Sequence, residues 1–151
     1  TAFRERYLKG ETELELVPQG TLIERIRAAG AGLGGFYTRT AAGTELAAGK
    51  EIRVIDGRQY VLETPLHADF AFLKADRGDR LGNLSYRYAM RNFNPVMATA
   101  ANVVITEVEE LVAVGALAPD DIHTPGIFVD HVVKVERHPR LFEPRHQEKT
   151  T

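Results

Sequence analysis

The sequence predicts a single α/β domain built around an open sheet. Three observations carry that expectation. A period-two run feeds a turn and then a helix between residues 13 and 30. Two alternating runs fold about Asp56-Gly57, and apolar runs at 68–74, 103–105 and 127–135 suit buried strands. The chain has 151 residues, which fits one domain, and a domain of that size buries about 68–70% of its unfolded surface. Hydrophobic residues make up 44% and charged residues 26%, the balance of a globular protein rather than a disordered one.

In chain order, Phe3, Tyr7 and Leu8 recur at helical spacing and Gly10 follows, which reads as a helix with a glycine stop. Residues 13–17 (ELELV) alternate and read as a short strand ended by Pro18. Thr21-Leu22-Ile23-Glu24 matches a capping box with Thr21 at the N-cap. The helix it opens carries Leu22, Ile26 and Ala29 on one face and stops at Gly30. Strand, Pro-Gln-Gly turn and helix in succession put the turn at the carboxyl end of a strand, where open α/β sheets usually bind ligands.

Residues 30–35 form a flexible glycine loop ahead of Phe36-Tyr37-Thr38. The runs 51–55 and 58–62 around Asp56-Gly57 make a two-residue hairpin, since a type I′ turn needs positive φ at both central positions. Residues 79–83 read as a turn, and 95–101 as a short helix with Pro95 in its first turn. The strand at 103–105 runs into Glu107-Val108-Glu109, residues 119–121 turn, and 127–135 form another strand. From 136 the chain is polar, with Pro139 and Pro144. The division is therefore a domain over 1–135 and a polar tail over 136–151.

Several function classes are excluded. Lys plus Arg number 19 against 21 Asp plus Glu, a net charge of −2, so no basic excess suits a nucleic acid or an anionic membrane. The absence of cysteine removes thiolate metal sites, disulfides and Cys nucleophiles, and fits a reducing, cytoplasmic location. No apolar run approaches the roughly 18 residues of a spanning helix, and no signal-peptide pattern opens the chain.

Gly30, Gly32 and Gly35 satisfy G-x-G-x-x-G, with Asp56 some way beyond. The motif follows a helix instead of opening one, so no helix N-terminus holds a pyrophosphate and the dinucleotide reading fails. Among His67, His123, His131, His138 and His146 no pair has metal-ligand spacing, and no metal site is expected. His131 reads as a structural histidine inside an apolar strand, and His138 and His146 as solvated. Glu107, Glu109 and Glu110 read as an outward charged edge in preference to paired catalytic carboxylates, with Val108 on the opposite face. No Ser-His-Asp order, nucleophile elbow or P-loop is present. Gln19 is open to two readings: a neutral amide that donates to a developing oxyanion, or a side chain that caps its own turn. Gly20 beside it lets a ligand approach the backbone closely.

Eight segments, in order and with matching gaps, carry a resemblance: ELVPQGTLIERIRAAGAG (15–32), GFYTRT (35–40), GK-EIR-DG-YVLE (49–63), ADFAFLKAD (68–76), GNLSYR (82–87), RNFNPVMATAA (91–101), EVEELV (107–112) and DDIHTPGIFVDHVV (120–133). Together they resemble the alpha (A) subunit of the class I 3-oxoacid coenzyme A transferases. The resemblance implies the open sheet of the CoA-transferase and ribose-5-phosphate isomerase-like type. It also implies transfer of coenzyme A from an acyl-CoA, such as succinyl-CoA, to a 3-oxoacid or other carboxylate, as in ketone body or 3-oxoadipate metabolism. The family's route passes through a mixed anhydride and a glutamyl-CoA thioester. The glutamate belongs to the family's beta (B) subunit, in a Ser-Glu-Asn-Gly context that this chain lacks.

What the resemblance gives this chain is the opposing wall. Gln19 would stabilise the oxyanion, with Gly20, Gly30, Gly32 and Phe36 lining the substrate site. No metal or redox cofactor is implied, and coenzyme A is a co-substrate. The beta (B) subunit is the implied partner, in an A2B2 hetero-oligomer. Two departures stand out. Gly34-Gly35 replaces the family's Pro-Ala, which makes the loop more flexible. The family's opening strand and G-G-F-G loop are missing, so the N-terminal part of the fold is expected to be absent. Within RNFN, an Asn at positive φ before the helix is the structural explanation, and an Arg91 contact to a substrate carboxylate or CoA phosphate is the functional one. A non-catalytic assembly domain derived from the same fold is the alternative. The ordered matches weigh against a sugar-phosphate isomerase-like relative.

Overall fold

The computed structural model describes residues 2–136, so beyond Glu136 the expected tail, with His138 and His146, lies outside the described residues. Helix α1 (Ala2–Leu8) is exposed along its whole length and ends ahead of Gly10, whose φ of 71° suits the glycine stop. Helix α2 (Gln19–Gly30) follows, then a three-stranded sheet made of β1 (Phe36–Thr38), β2 (Ile52–Ile55) and β3 (Arg58–Glu63). Its order is β1-β3-β2, antiparallel throughout, with Phe36 opposite Glu63 and Ile55 opposite Arg58. The hairpin forms where the sequence places it: Asp56 and Gly57 both adopt positive φ, 49° and 71°.

The second sheet holds β4 (Ala68–Gly78), β5 (Leu84–Ser85), β6 (Ala101–Leu111) and β7 (His131–Lys134), in the order β5-β4-β6-β7. β4, β6 and β7 run parallel and β5 pairs antiparallel with the end of β4. Successive side chains along these strands alternate between the two faces. Ala71, Leu73, Ala75, Val104 and Val108 point to the core, where they meet Leu84, Tyr86 and Ala98. The short helix α3 (Asn94–Met97) packs between α2 and β4 on this side. On the opposite face Phe70 and Phe72 remain exposed, the side on which a parallel sheet ordinarily carries a second layer. The α/β class and open sheets agree with the sequence expectation.

Several local expectations are corrected. Residues 13–17 form no strand: Leu14 and Leu16 stay exposed, and no neighbouring strand among the described residues accepts their backbone. Thr21 is not the N-cap, because the helix begins two residues earlier. Pro18 holds an extended backbone (φ −56°, ψ 139°), its carbonyl takes the Leu22 N–H at 2.9 Å, and Thr21 turns inward. The buried stripe of α2 is Thr21, Arg25, Ala28 and Ala29, so Leu22 and Ile26 lie at its margin. The helix expected over 95–101 is shorter, since Ala101 already belongs to β6. The strand expected over 127–135 contracts to β7, because residues 126–128 make a 3-10 turn, and His131 at its start is exposed and not a core histidine. No Asn of RNFN has positive φ; among the described non-glycine residues only Ala41, Asp56 and Tyr88 do.

Candidate functional site

The opening of α2 is bare. Gln19 and Gly20 are exposed, and among the described residues no side chain caps the helix and nothing lies within 4 Å of a Cβ placed on Gly20. A helix leaves its first amides without internal acceptors, and its aligned dipoles add partial positive charge there. Thr21 Oγ1, one residue further in, is buried with no hydrogen-bond partner among the described residues. Gln19's side-chain amide and the main-chain N–H groups of this end can therefore donate together to a developing negative charge.

The closing end is sealed. Gly32 N–H donates to the Ala29 carbonyl at 3.1 Å and Leu33 N–H to the Ala28 carbonyl at 2.9 Å, a Schellman closure with Gly32 (φ 68°) in the left-handed position. Gly30 lies against Thr99, where an added Cβ would come within 2.0 Å of Oγ1. Gly35 (φ 154°) presses on the Glu63 carbonyl, and Phe36 starts β1 opposite Glu63, half-buried. The glycine loop is thus tied down at Gly32 and at Gly35. Eleven helical rises separate Gln19 from Gly30, about 16 Å along the axis. The structure brings Gln19 and Gly20 together, and it holds Gly30, Gly32 and Phe36 at the other end.

Between α2 and β3 runs a crevice of about 270 Å³ that sequence reasoning missed. Buried Arg25 donates from Nε to the Thr64 carbonyl at 2.9 Å and from Nη1 to Glu15 at 2.8 Å. Lys50 Nζ meets Glu63, which is 3% exposed, at 2.7 Å. Each cation here already has its carboxylate, so the crevice fastens α2 and the segment before it to the small sheet. A helix pattern that counts Arg as a solvent-facing residue gives no hint of this role.

A second depression, of about 470 Å³, is bounded by Tyr86, Arg87, Tyr88 and Arg91. Tyr86 anchors it: its hydroxyl pairs with Thr124 Oγ1 at 2.8 Å, and its N–H donates to His123 Nδ1 at 2.9 Å. Burial raises the Tyr86 hydroxyl above its usual 10.0. His123 sits below its usual 6.5, first through burial and then through the charge of Arg91, with Asp121 opposing. Arg91 Nε donates to the Tyr86 carbonyl at 3.2 Å, and Arg87 Nε meets Asp76 at 2.8 Å. The role of Asn94 is structural: its Oδ1 accepts the Lys74 N–H at 3.3 Å and its Nδ2 donates to the Met90 carbonyl at 2.9 Å, which ties α3 to β4.

On the outer sheet face Val108 points inward as expected, while Glu107 is exposed and Glu109 pairs with Lys74 at 3.4 Å. Among the described residues no three His, Cys, Asp or Glu gather as a metal site, and no helix is long and apolar enough to cross a membrane.

Comparison with known proteins agrees with the resemblance. The family model described as coenzyme A transferase matches residues 1–135. The A subunit of the 3-oxoadipate CoA-transferase from Pseudomonas putida is 60% identical over 133 residues, 88% of this chain and 58% of the relative. The A subunit of a probable succinyl-CoA:3-ketoacid coenzyme A transferase from Bacillus subtilis is 56% identical, over 87% of this chain and 55% of the relative. The chain thus spans little more than half the length of these relatives. An acyl-CoA transferase of Escherichia coli O157:H7 superposes with a TM-score of 0.80 over 89% of this chain and 30% of its own, at 22% identity, which is a likeness of fold.

Proposed function

The chain belongs to the coenzyme A transferase family, and on that ground we propose that it works as the alpha (A) subunit of an enzyme that moves coenzyme A from an acyl-CoA to a carboxylate. Succinyl-CoA as donor and a 3-oxoacid such as 3-oxoadipate as acceptor follow the names of its relatives. The observation that carries the reading is the bare Pro18-Gln19-Gly20 opening of α2 within a chain that matches the family along residues 1–135.

The chemistry calls for what that opening offers. A carboxylate on the beta (B) subunit attacks the thioester carbonyl, a C–O bond forms, and the carbonyl oxygen takes on negative charge. Gln19 donates its side-chain N–H to that oxygen, and the open space at Gly20 admits the thioester. Collapse breaks the C–S bond and leaves a mixed anhydride and a thiolate. The thiolate then attacks the glutamyl carbonyl, which expels the first acid and forms the glutamyl-CoA thioester. The acceptor carboxylate reverses these steps. Gln19 serves each tetrahedral stage, and one such donor contributes about 2.7–4 kcal/mol. Gly30 and Gly32 close the helix in this reading, and Phe36 carries the loop onto β3. The enzyme uses no metal or redox cofactor, coenzyme A being the co-substrate. It pairs with the beta (B) subunit in an A2B2 hetero-oligomer and acts in the cytoplasm.

The experiment is to trap the intermediate. The assembled complex is given an acyl-CoA, reduced with borohydride and mapped by peptide mass. The expected adduct lies on a glutamate of the second polypeptide. An adduct on one of this chain's own glutamates contradicts the division of labour, and no adduct at all favours a non-catalytic assembly domain.

A further inference from the structure

The depression at residues 86–91 differs from the crevice beside α2 in how its charges are settled. Beside α2, Arg25 and Lys50 are each matched by a carboxylate at 2.7–2.8 Å. Around residues 86–91, Asp76 is shared between Arg87 and Arg77, and Asp121 lies at 3.9 Å from Arg77. Arg91 has no carboxylate partner among the described residues. Three guanidinium groups therefore face two carboxylates, and burial of His123 disfavours its charged form.

Arg87 is ion-paired through Nε with Asp76, and Arg91 Nε donates to the Tyr86 carbonyl. These contacts limit how far the two side chains can turn. An anchored guanidinium fork suits a phosphate, which takes paired N–H donors.

Tyr88 supplies an independent sign. It is an aromatic residue at φ 50°, in the left-handed region, and it is 87% exposed. No packing offsets that strain. Backbone strain of this kind clusters at active sites and ligand clamps. The exposed ring stands beside the two arginines at the mouth of the depression.

We propose that residues 86–91 bind a phosphate ester, the phosphorylated adenosine end of coenzyme A, with Arg87 and Arg91 on phosphate and the Tyr88 ring stacked on adenine. The identity of the ester rests on the coenzyme A transferase reading above; the cationic, aromatic geometry does not. Stacking on an exposed aromatic suits any purine and needs no groove of its own.

The test is direct titration of adenosine 3′,5′-bisphosphate into the assembled complex by calorimetry, with adenosine, inorganic phosphate and succinate as separate probes. The bisphosphate binds, the other three bind far more weakly, and succinate does not compete. Arg87→Gln and Arg91→Gln each weaken the bisphosphate at least about tenfold. In turnover the same variants raise the KM for acyl-CoA by a larger factor than they change the KM for the acid. Tyr88→Gly separates binding from folding: glycine accepts positive φ freely, so the melting temperature rises while affinity falls. Bisphosphate affinity unchanged in the double arginine variant overturns the proposal, and so does succinate competition, which assigns the arginines to the acid. Because the titration involves no transfer, a failed adduct trap with intact arginine-dependent binding removes the function above and leaves this site standing.

Discussion

The two ends of α2 use glycine for opposite purposes. At the opening, among the described residues, Gly20 has no atom within 4 Å of a Cβ placed on it, Gln19 is exposed and no side chain caps the first turn. At the close, Gly30 is filled by Thr99 and Gly32 holds the left-handed turn of a Schellman closure. The difference teaches that a glycine-rich stretch is no guide to a ligand. What counts is whether the space beside the glycine is empty or already occupied by the protein.

Substitutions at the two ends sharpen this contrast. Gly30→Ala should have the largest effect on stability, because its Cβ would lie 2.9 Å from the Thr99 backbone carbonyl as well as 2.0 Å from Oγ1. A loss of about 3 kcal/mol or more is expected, read by urea denaturation. Gly32→Ala meets no clash and bears only the left-handed backbone, so a loss of about 1–2 kcal/mol is expected in the same experiment. Gly20→Ala should leave stability within about 0.5 kcal/mol of the parent or slightly above it, since alanine favours a helix. Its effect should fall on turnover. A destabilised Gly20→Ala would mean that the opening end is packed after all.

The smallest expected effect is one of pH. His123 accepts a hydrogen bond at Nδ1, and its folded pKa lies below the unfolded 6.5, so the folded state binds its proton less readily. Its contribution to stability is present above pH 6.5 and is lost as pH falls through the lower folded value. Thermal melts of the parent should decline more steeply over that window than melts of His123→Gln, whose side-chain carbonyl can replace Nδ1 as acceptor.

The elements that sequence made legible are those whose signal is local. Asp56-Gly57 needs only its own two residues to turn a hairpin, and the alternation Glu107-Val108-Glu109 reports which face of β6 is buried, whereas the apolar run at 68–74 read as buried leaves Phe70 and Phe72 exposed. Residues 13–17 alternate just as well yet form no strand, because pairing depends on a neighbour that a local pattern cannot reveal. Thr21-x-x-Glu24 matched a capping box, but Pro18 set the helix start and left Glu24 to pair with Arg27. Of the candidate site, Gln19 and Gly20 were legible as a turn ahead of a helix. Arg91 was legible as one of two readings of RNFN, whereas Arg25, Glu63 and Arg87 were not, since their roles arise from contacts between residues distant in sequence, such as those of Arg25 across 10 and 39 positions.

The central proposal is that the opening end of α2 acts in catalysis and that its closing end serves the fold. Its most direct test is kcat for Gln19→Ala in the assembled complex, with the melting temperature recorded alongside. The account predicts a fall of at least about tenfold, and up to about 10²–10³, with the melting temperature and assembly unchanged. An unchanged kcat would contradict it and remove Gln19 from the site.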